Sequence, residues 1–257
     1  MKGLVGICVL GLVVVFGLGL GAFFYLTRPP LPLTETLPEP NGFQALVEVE
    51  TEWQALPKPS VELGAEQLEL QRTSRLALIT TLRTGLAKES QMPLATVREV
   101  FHTPPAQTSK PVIVGLIEMA EAELAAGRSA EATQLWSDAL RFSPARIKGG
   151  VAIHLMVGLA GEKRTLDSVT MHLDRLSAID RRKLAATLRG VDALWEPVEV
   201  VFARDLSLGL EEVAPSQRLG QRLAVFWLGT LKKVQEKTTR NFQAAAFRRA
   251  VLIQELE

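Results

Sequence analysis

LIEMAEAELAAGRSAEATQLWSDALRFSP, residues Leu116–Pro144, is the stretch that decides the fold. It predicts two short helices joined by a turn at Gly127, because a glycine after a helical run permits a left-handed helix end. Small residues stand where the two helices would cross. The rest of the chain is best understood as elements arranged around this helical hairpin.

Six residues of the hairpin have the types that a close-packed pair of helices needs. Alanines let two backbones approach closely, and a large aromatic side chain fills the gap between neighbouring helices. A proline ends one helix and can open the next. The six residues are Ala120, Gly127, Ala132, Trp136, Ala139 and Pro144.

With these residues, positions 113–146 resemble one tetratricopeptide repeat, a 34-residue helix-turn-helix unit. Glu123 and Ser129 depart from the family pattern, which usually has aromatic or large apolar residues there. The resemblance implies an all-α domain of stacked helical hairpins and a role in binding other proteins.

A second, degenerate unit is predicted over residues 147–180, because Gly161 lies one repeat length after Gly127. It would pair a helix over Ile147–Ala160 with another over Leu166–Ile179. The small and aromatic residues that mark the first unit are absent from the corresponding positions of this second unit.

The family usually binds a peptide in a concave groove lined by the first helix of each unit. In this chain the matching positions are mostly apolar, which favours a groove covered by another helix of the same chain. The alternative is that a partner helix docks there by its apolar face. The possible partner surface comprises Val114, Ile117, Glu121, Leu124, Val151 and Leu155.

Residues Gly3–Thr27 form an uncharged segment of 25 residues, and a membrane span needs about 20. We predict an uncleaved transmembrane helix over residues 1–27, with a cleaved signal peptide as the alternative. A short N-terminus of this kind predicts a single-pass membrane protein with a cytoplasmic N-terminus and an extracytoplasmic C-terminal domain.

Residues 28–60 contain seven prolines and predict an extended linker. Within it, Ala45–Trp53 alternates apolar and acidic residues, a period of two that is typical of extended chain. With no partner strand in the sequence, we expect an extended segment laid along the helical domain, or a short amphipathic piece.

Residues 61–257 predict an all-helical domain. The last helical tract, Ser216–Leu256, carries a broad apolar stripe and is expected to cap the hairpin stack or to self-associate. The remaining predicted helices are Ala65–Glu89, a short one after Pro93, one capped by Ser109, Ala178–Leu194 and Val198–Leu208.

Composition excludes several function classes. A net charge of +1 argues against bulk nucleic-acid binding. The lone cysteine, Cys8, allows no intrachain disulfide. His102, His154 and His172 lack metal-ligand spacing, and no catalytic triad or phosphate-binding loop is present. No catalysis, cofactor or metal is therefore predicted.

Charge is distributed unevenly along the chain. Residues 28–71 carry a net charge of −6 and residues 216–257 a net charge of +5. Solvated faces are the simplest interpretation, and a basic surface that meets anionic lipid or an acidic partner is the alternative.

These features predict a membrane-anchored helical scaffold or adaptor that binds a protein partner and performs no catalysis. A self-assembling structural membrane protein, possible as a homo-oligomer, is the alternative. An enzyme of unrecognised type is the third and least favoured hypothesis.

Overall fold

The computed structural model describes residues 33, 35–56, 65–102, 109–211 and 230–257. Within these ranges the chain forms helices and no strand, which confirms the all-α prediction. The helices are α1 (Phe43–Ala55), α2 (Ala65–Leu86), α3 (Leu94–His102), α4 (Ser109–Ala125), α5 (Ser129–Ile147), α6 (Ala152–Met171), α7 (Ala178–Asp192), α8 (Val198–Glu211) and α9 (Thr230–Leu256).

The chain divides into two compact units. The main unit comprises Glu35–Phe202 and Lys237–Glu257, and the other comprises Met1–Thr34 and Ala203–Glu236. The predicted anchor over residues 1–27 lies outside the described residues. Among the helices that are described, none combines the length and apolar character needed to cross a membrane.

Two helical hairpins, α1/α2 and α4/α5, stand side by side in the main unit, and α6 and α7 both pack against α5. Helices α1, α4 and α6 form what we call the first layer. Helices α2, α5 and α7 form the second layer. The C-terminal part of α9, from Lys237, is bonded to α6 and α7, as predicted for a capping helix.

Helices α1 and α4 run in the same direction. Glu50 accepts a hydrogen bond of 2.5 Å from the hydroxyl of Ser109, and farther along both helices Trp53 lies against Gly115. A Cβ on Gly115 would lie 2.3 Å from the Trp53 ring. Ser109, expected as a helix cap, therefore directs its hydroxyl to a neighbouring helix instead.

Helices α4 and α6 also run in the same direction. Ile113 lies against Gly161, and eight positions farther along α4, Glu121 accepts a hydrogen bond of 2.7 Å from Ser168. A Cβ on Gly161 would lie 2.4 Å from Cδ1 of Ile113. The first layer thus depends on two glycines that let adjacent helices approach closely.

Polar pairs fix the second layer in the same parallel register. They connect α2 to α5 and α5 to α7 through side chains that are partly or fully buried. The pairs are Arg83 with Asp138 at 2.7 Å, Arg141 with the carbonyl of Leu86 at 2.7 Å, Ser129 with Asp180 at 2.8 Å, and Thr187 with Ser137 at 3.1 Å.

The predicted second hairpin over residues 147–180 is wrong. Gly161 lies inside α6, which continues without interruption from Ala152 to Met171. Its lack of a side chain serves the contact with Ile113 and not a turn. Helices α6 and α7 follow one another through residues 172–177, and α7 packs against α5.

The extended conformation predicted for Ala45–Trp53 is also wrong, because the segment belongs to α1. Its alternating pattern contains a helical one: Leu46, Val49, Glu50 and Trp53 are all buried on one face against the neighbouring helices. Burial against α4 selects the helix, so the helical core begins inside the predicted linker.

The role predicted for Pro144 needs a smaller correction. Pro144 does not end α5, which continues to Ile147, because the Pro144 carbonyl still accepts a hydrogen bond from the backbone N–H of Lys148. Helix α9 is continuous from Thr230 to Leu256.

Two large apolar side chains of the helices are exposed. Ile179 is 64% exposed and Phe247 is 69% exposed. For Phe247 the reason is Arg249, which is buried on the face of α9 that meets Glu162. Residues two positions apart on a helix point in opposite directions.

Matched glycine substitutions test the close approach of α1 and α4. We expect Gly115→Ala to lower the free energy of unfolding by about 1–3 kcal/mol, because the new methyl group overlaps the Trp53 ring. Gly190→Ala in α7, where nothing lies within 4 Å, is expected to raise it by about 0.5–1 kcal/mol. Chemical denaturation of the full chain in detergent measures both.

Both substitutions replace glycine by alanine within a helix and therefore gain the same helix propensity. The difference between their effects on the free energy of unfolding reports packing alone. Equal effects of the two variants would contradict the structure.

Candidate binding groove

The residues that carry the tetratricopeptide resemblance lie at the centre of the main unit. Gly127 has a φ of 80°, the left-handed conformation that favours glycine. Pro144 is buried in the last turn of α5. The other four are fully buried: Ala120, Ala132, Trp136 and Ala139.

Trp136 connects three helices through a chain of hydrogen bonds. Its Nε1–H donates to the hydroxyl of Ser168 at 3.1 Å, and that hydroxyl donates to Glu121 at 2.7 Å. The indole also stacks on His172, with ring centroids 6.1 Å apart. Trp136 therefore joins the α4/α5 hairpin to α6.

The predicted partner surface does not form one open face. Leu124, Val151 and Leu155 are buried in the core, and Ile117 packs against it. Glu121 lies on α4, where it accepts the hydrogen bond from Ser168. Only Val114 of the six lines an open groove.

That groove lies between α4 and α6 on the exposed side of the first layer and has a volume of about 380 Å³. Ile113 and Gly161 meet at its base. Along α6, Ile153 is 42% exposed and Met156 is 38% exposed. The α4–α6 groove is lined by Lys110, Ile113, Val114, Ile153, Met156, Val157, Ala160, Gly161 and Arg164.

Helical periodicity places these residues together. On α6 they recur at three- and four-residue spacing from Ile153 to Arg164, which is one helix face. The α4 residues from Lys110 to Val114 share the same spacing. This spacing can be read from the sequence. However, the predicted helix ended at Ala160, before a turn at Gly161, so the stripe was not followed to Arg164.

Two cations flank the apolar surface of the groove. Lys110 comes from α4 and Arg164 from α6. Within the described part of the chain, neither forms an ion pair or a hydrogen bond. The neighbouring Lys163 differs, because it pairs with Asp167 at 2.6 Å.

A second groove of about 300 Å³ lies between α6 and α9. Two of its charged groups pair across it, since Arg248 bonds to Asp167 at 2.7 Å. The adjacent Arg249 is fully buried and makes two 2.7 Å hydrogen bonds to the carboxylate of Glu162. These bonds hold α9 against α6.

Across the described residues, no three His, Cys, Asp or Glu side chains lie close enough together to hold a metal ion. Two of the three histidines have structural contacts. His172 stacks on Trp136, and Nδ1 of His154 accepts a hydrogen bond of 3.1 Å from the backbone N–H of Val151 at the start of α6.

Burial of His154 gives a test of stability against pH. Desolvation, together with the charge of Arg146, lowers the pKa of His154 to about 4 from 6.5. The neutral imidazole stabilises the fold above pH 6.5, and this contribution of about 3 kcal/mol is lost as pH falls towards 4. Denaturation of the full chain at several pH values measures it.

His154→Gln is the control, since the amide keeps an acceptor and does not titrate. We expect the variant to lose less stability than the native chain between pH 6.5 and 4. Identical losses would show that protonation of His154 does not oppose folding.

Comparison with protein-family models, curated proteins and solved structures gave no match for this chain.

Proposed function

We propose that this protein is a membrane-anchored helical scaffold that binds a protein partner through the α4–α6 groove. The observation that carries the proposal is the groove itself, an open apolar surface with two cations that have no partner within the described part of the chain. Among the described residues, its lining contains no His, Cys, Ser, Asp or Glu. Lys110 is the one lining residue of a type that performs acid–base or nucleophilic chemistry, and no described second group stands beside it to assist, which favours binding over catalysis.

The arrangement of the hairpins supports the same proposal. Helical-repeat proteins stack hairpins so that one layer of helices presents an extended binding surface. Here the first layer contributes the groove, and the second layer is fixed behind it by polar pairs. The tetratricopeptide resemblance of residues 113–146 adds to this argument, because that family binds proteins through its first helices.

The apolar segment at residues 3–27 supports a membrane anchor, with the N-terminus in the cytoplasm and the main unit outside it. An anchored domain meets membrane-bound partners at raised local concentration, so a modest groove affinity suffices. The self-assembling alternative draws support from Phe247, an exposed aromatic side chain on α9.

Site-specific photo-crosslinking tests the groove in the membranes of the source cells. A photoreactive residue at Met156 is expected to form a covalent adduct with a different polypeptide. Adding Ile153→Asp should reduce the yield several-fold, because a carboxylate on the groove surface opposes apolar docking. The matched control is a photoreactive residue at Ile179, which is exposed outside the groove.

No adduct at Met156, or equal adducts at Ile179, would refute partner binding at this groove. An adduct with the mass of two copies of this chain would favour self-assembly instead.

Alkaline extraction tests the anchor independently. The full chain is expected to remain with the membrane pellet, and a variant that lacks residues 3–27 to appear in the supernatant, because the uncharged segment supplies the membrane affinity. Protease added outside sealed membranes should digest the main unit. Protection of the main unit would reverse the proposed orientation.

A further inference from the structure

We infer that the occupant of the α4–α6 groove is an amphipathic helix of the partner that carries two carboxylates about two turns apart on its apolar face. This inference rests on the proposed function and specifies the chemistry of the partner. Three observations carry it: the shape of the groove, its apolar surface and the positions of its two cations.

The groove favours a helix over an extended peptide. Its walls are two helices, α4 and α6, whose interior backbone groups are hydrogen-bonded within each helix. An extended peptide would bring N–H and C=O groups that these walls cannot satisfy. A helix satisfies its own backbone and lays a ridge of side chains into the gap between two parallel helices.

The base and α6 wall of the groove specify an apolar docking face. Exposed Ile153 and Met156 lie one turn apart on α6, and Val157 and Ala160 continue the same stripe. Apolar side chains at three- and four-residue spacing on the incoming helix match this stripe. Burial of the two exposed side chains drives the association.

Register within the first layer separates the two cations along the groove. Ile113 of α4 lies level with Gly161 of α6, and the two helices run in the same direction. Lys110 is three residues before Ile113, and Arg164 is three residues after Gly161. At 1.5 Å per residue, they stand about 9 Å apart along the common axis.

On an incoming helix, residues at i and i+7 lie on one face and about 10 Å apart. Carboxylates at these two positions meet Lys110 and Arg164, and apolar residues at i+3 and i+4 lie between them, level with Ile113. In the same register, apolar residues one turn before i, at i−4 and i−3, meet Ile153 and Met156. An acidic helix is favoured over a basic one because the described lining of the groove contains no carboxylate and its two cations have no partner among the described residues.

A designed peptide tests the inference on the full chain in lipid nanodiscs. The probe is a fluorescent, end-capped helix of about 18 residues, with glutamates at i and i+7 and leucines at i−4, i−3, i+3 and i+4. Its isomer carries both glutamates on the opposite face. A third peptide has lysines in place of the glutamates. Fluorescence anisotropy measures the three dissociation constants.

We expect the probe to bind at least about 10-fold more tightly than either other peptide, and more weakly as salt is raised. Combined Lys110→Glu and Arg164→Glu should reverse the preference, so that the lysine peptide binds best. Met156→Asp should weaken all binding. Lys163→Glu is the matched control for Arg164→Glu alone, because it makes the same charge change on α6 outside the groove.

Equal binding of the three peptides, no binding of the probe up to about 1 mM, or no reversal in the double variant would overturn the inference. If Met156 still crosslinks to a partner in membranes, the proposed function stands and only the acidic-helix assignment fails. If the chain forms dimers in nanodiscs that Met156→Asp disrupts, a second copy occupies the groove and the inference fails.

Discussion

The structure depends on the close approach of parallel helices at two glycines of the first layer. At Gly115 the ring of Trp53 occupies the space that any side chain would need, and at Gly161 the side chain of Ile113 does the same. These contacts set the register of α1, α4 and α6. Because α4 and α6 meet at Gly161, their residues form a groove along the exposed side.

Buried polar groups restrict the same interfaces to one arrangement. Glu50 lies between α1 and α4, and Glu162 meets Arg249 between α6 and α9. Burial raises the pKa of Glu162, and the charge of Arg249 opposes that rise. Ion pairs of this kind add little net stability compared with apolar packing, but losing one partner is costly, so they disfavour alternative registers.

The groove differs in its charges from two other surfaces of the main unit. On those surfaces Arg83 pairs with Asp138, and Arg248 pairs with Asp167. Lys110 and Arg164 lack such partners in the described chain and stand beside exposed Ile153 and Met156. Exposed apolar side chains next to cations without partners are typical of a docking surface, and this is why we propose that the groove binds a partner.

The sequence by itself determined the helical class, the α4/α5 hairpin with its turn at Gly127, and the buried positions of Ala120 and Trp136. These features follow from helical periodicity, a left-handed glycine and local residue types. The apolar stripe of α6 is also present in the sequence. Of the residues that line the groove, however, the sequence analysis assigned only Val114, on α4, to a partner surface.

Only the tertiary structure decided the role of Gly161, the helical state of Ala45–Trp53 and the exposure of Phe247. A glycine suits both a turn and a close helix contact, and an alternating segment can also place its apolar residues on one helix face. The neighbouring element decides which alternative forms. Ile113 packs against Gly161, α4 packs against α1, and Glu162 binds Arg249 and so fixes which face of α9 is buried. Those neighbours are distant in sequence, so local patterns could not specify them.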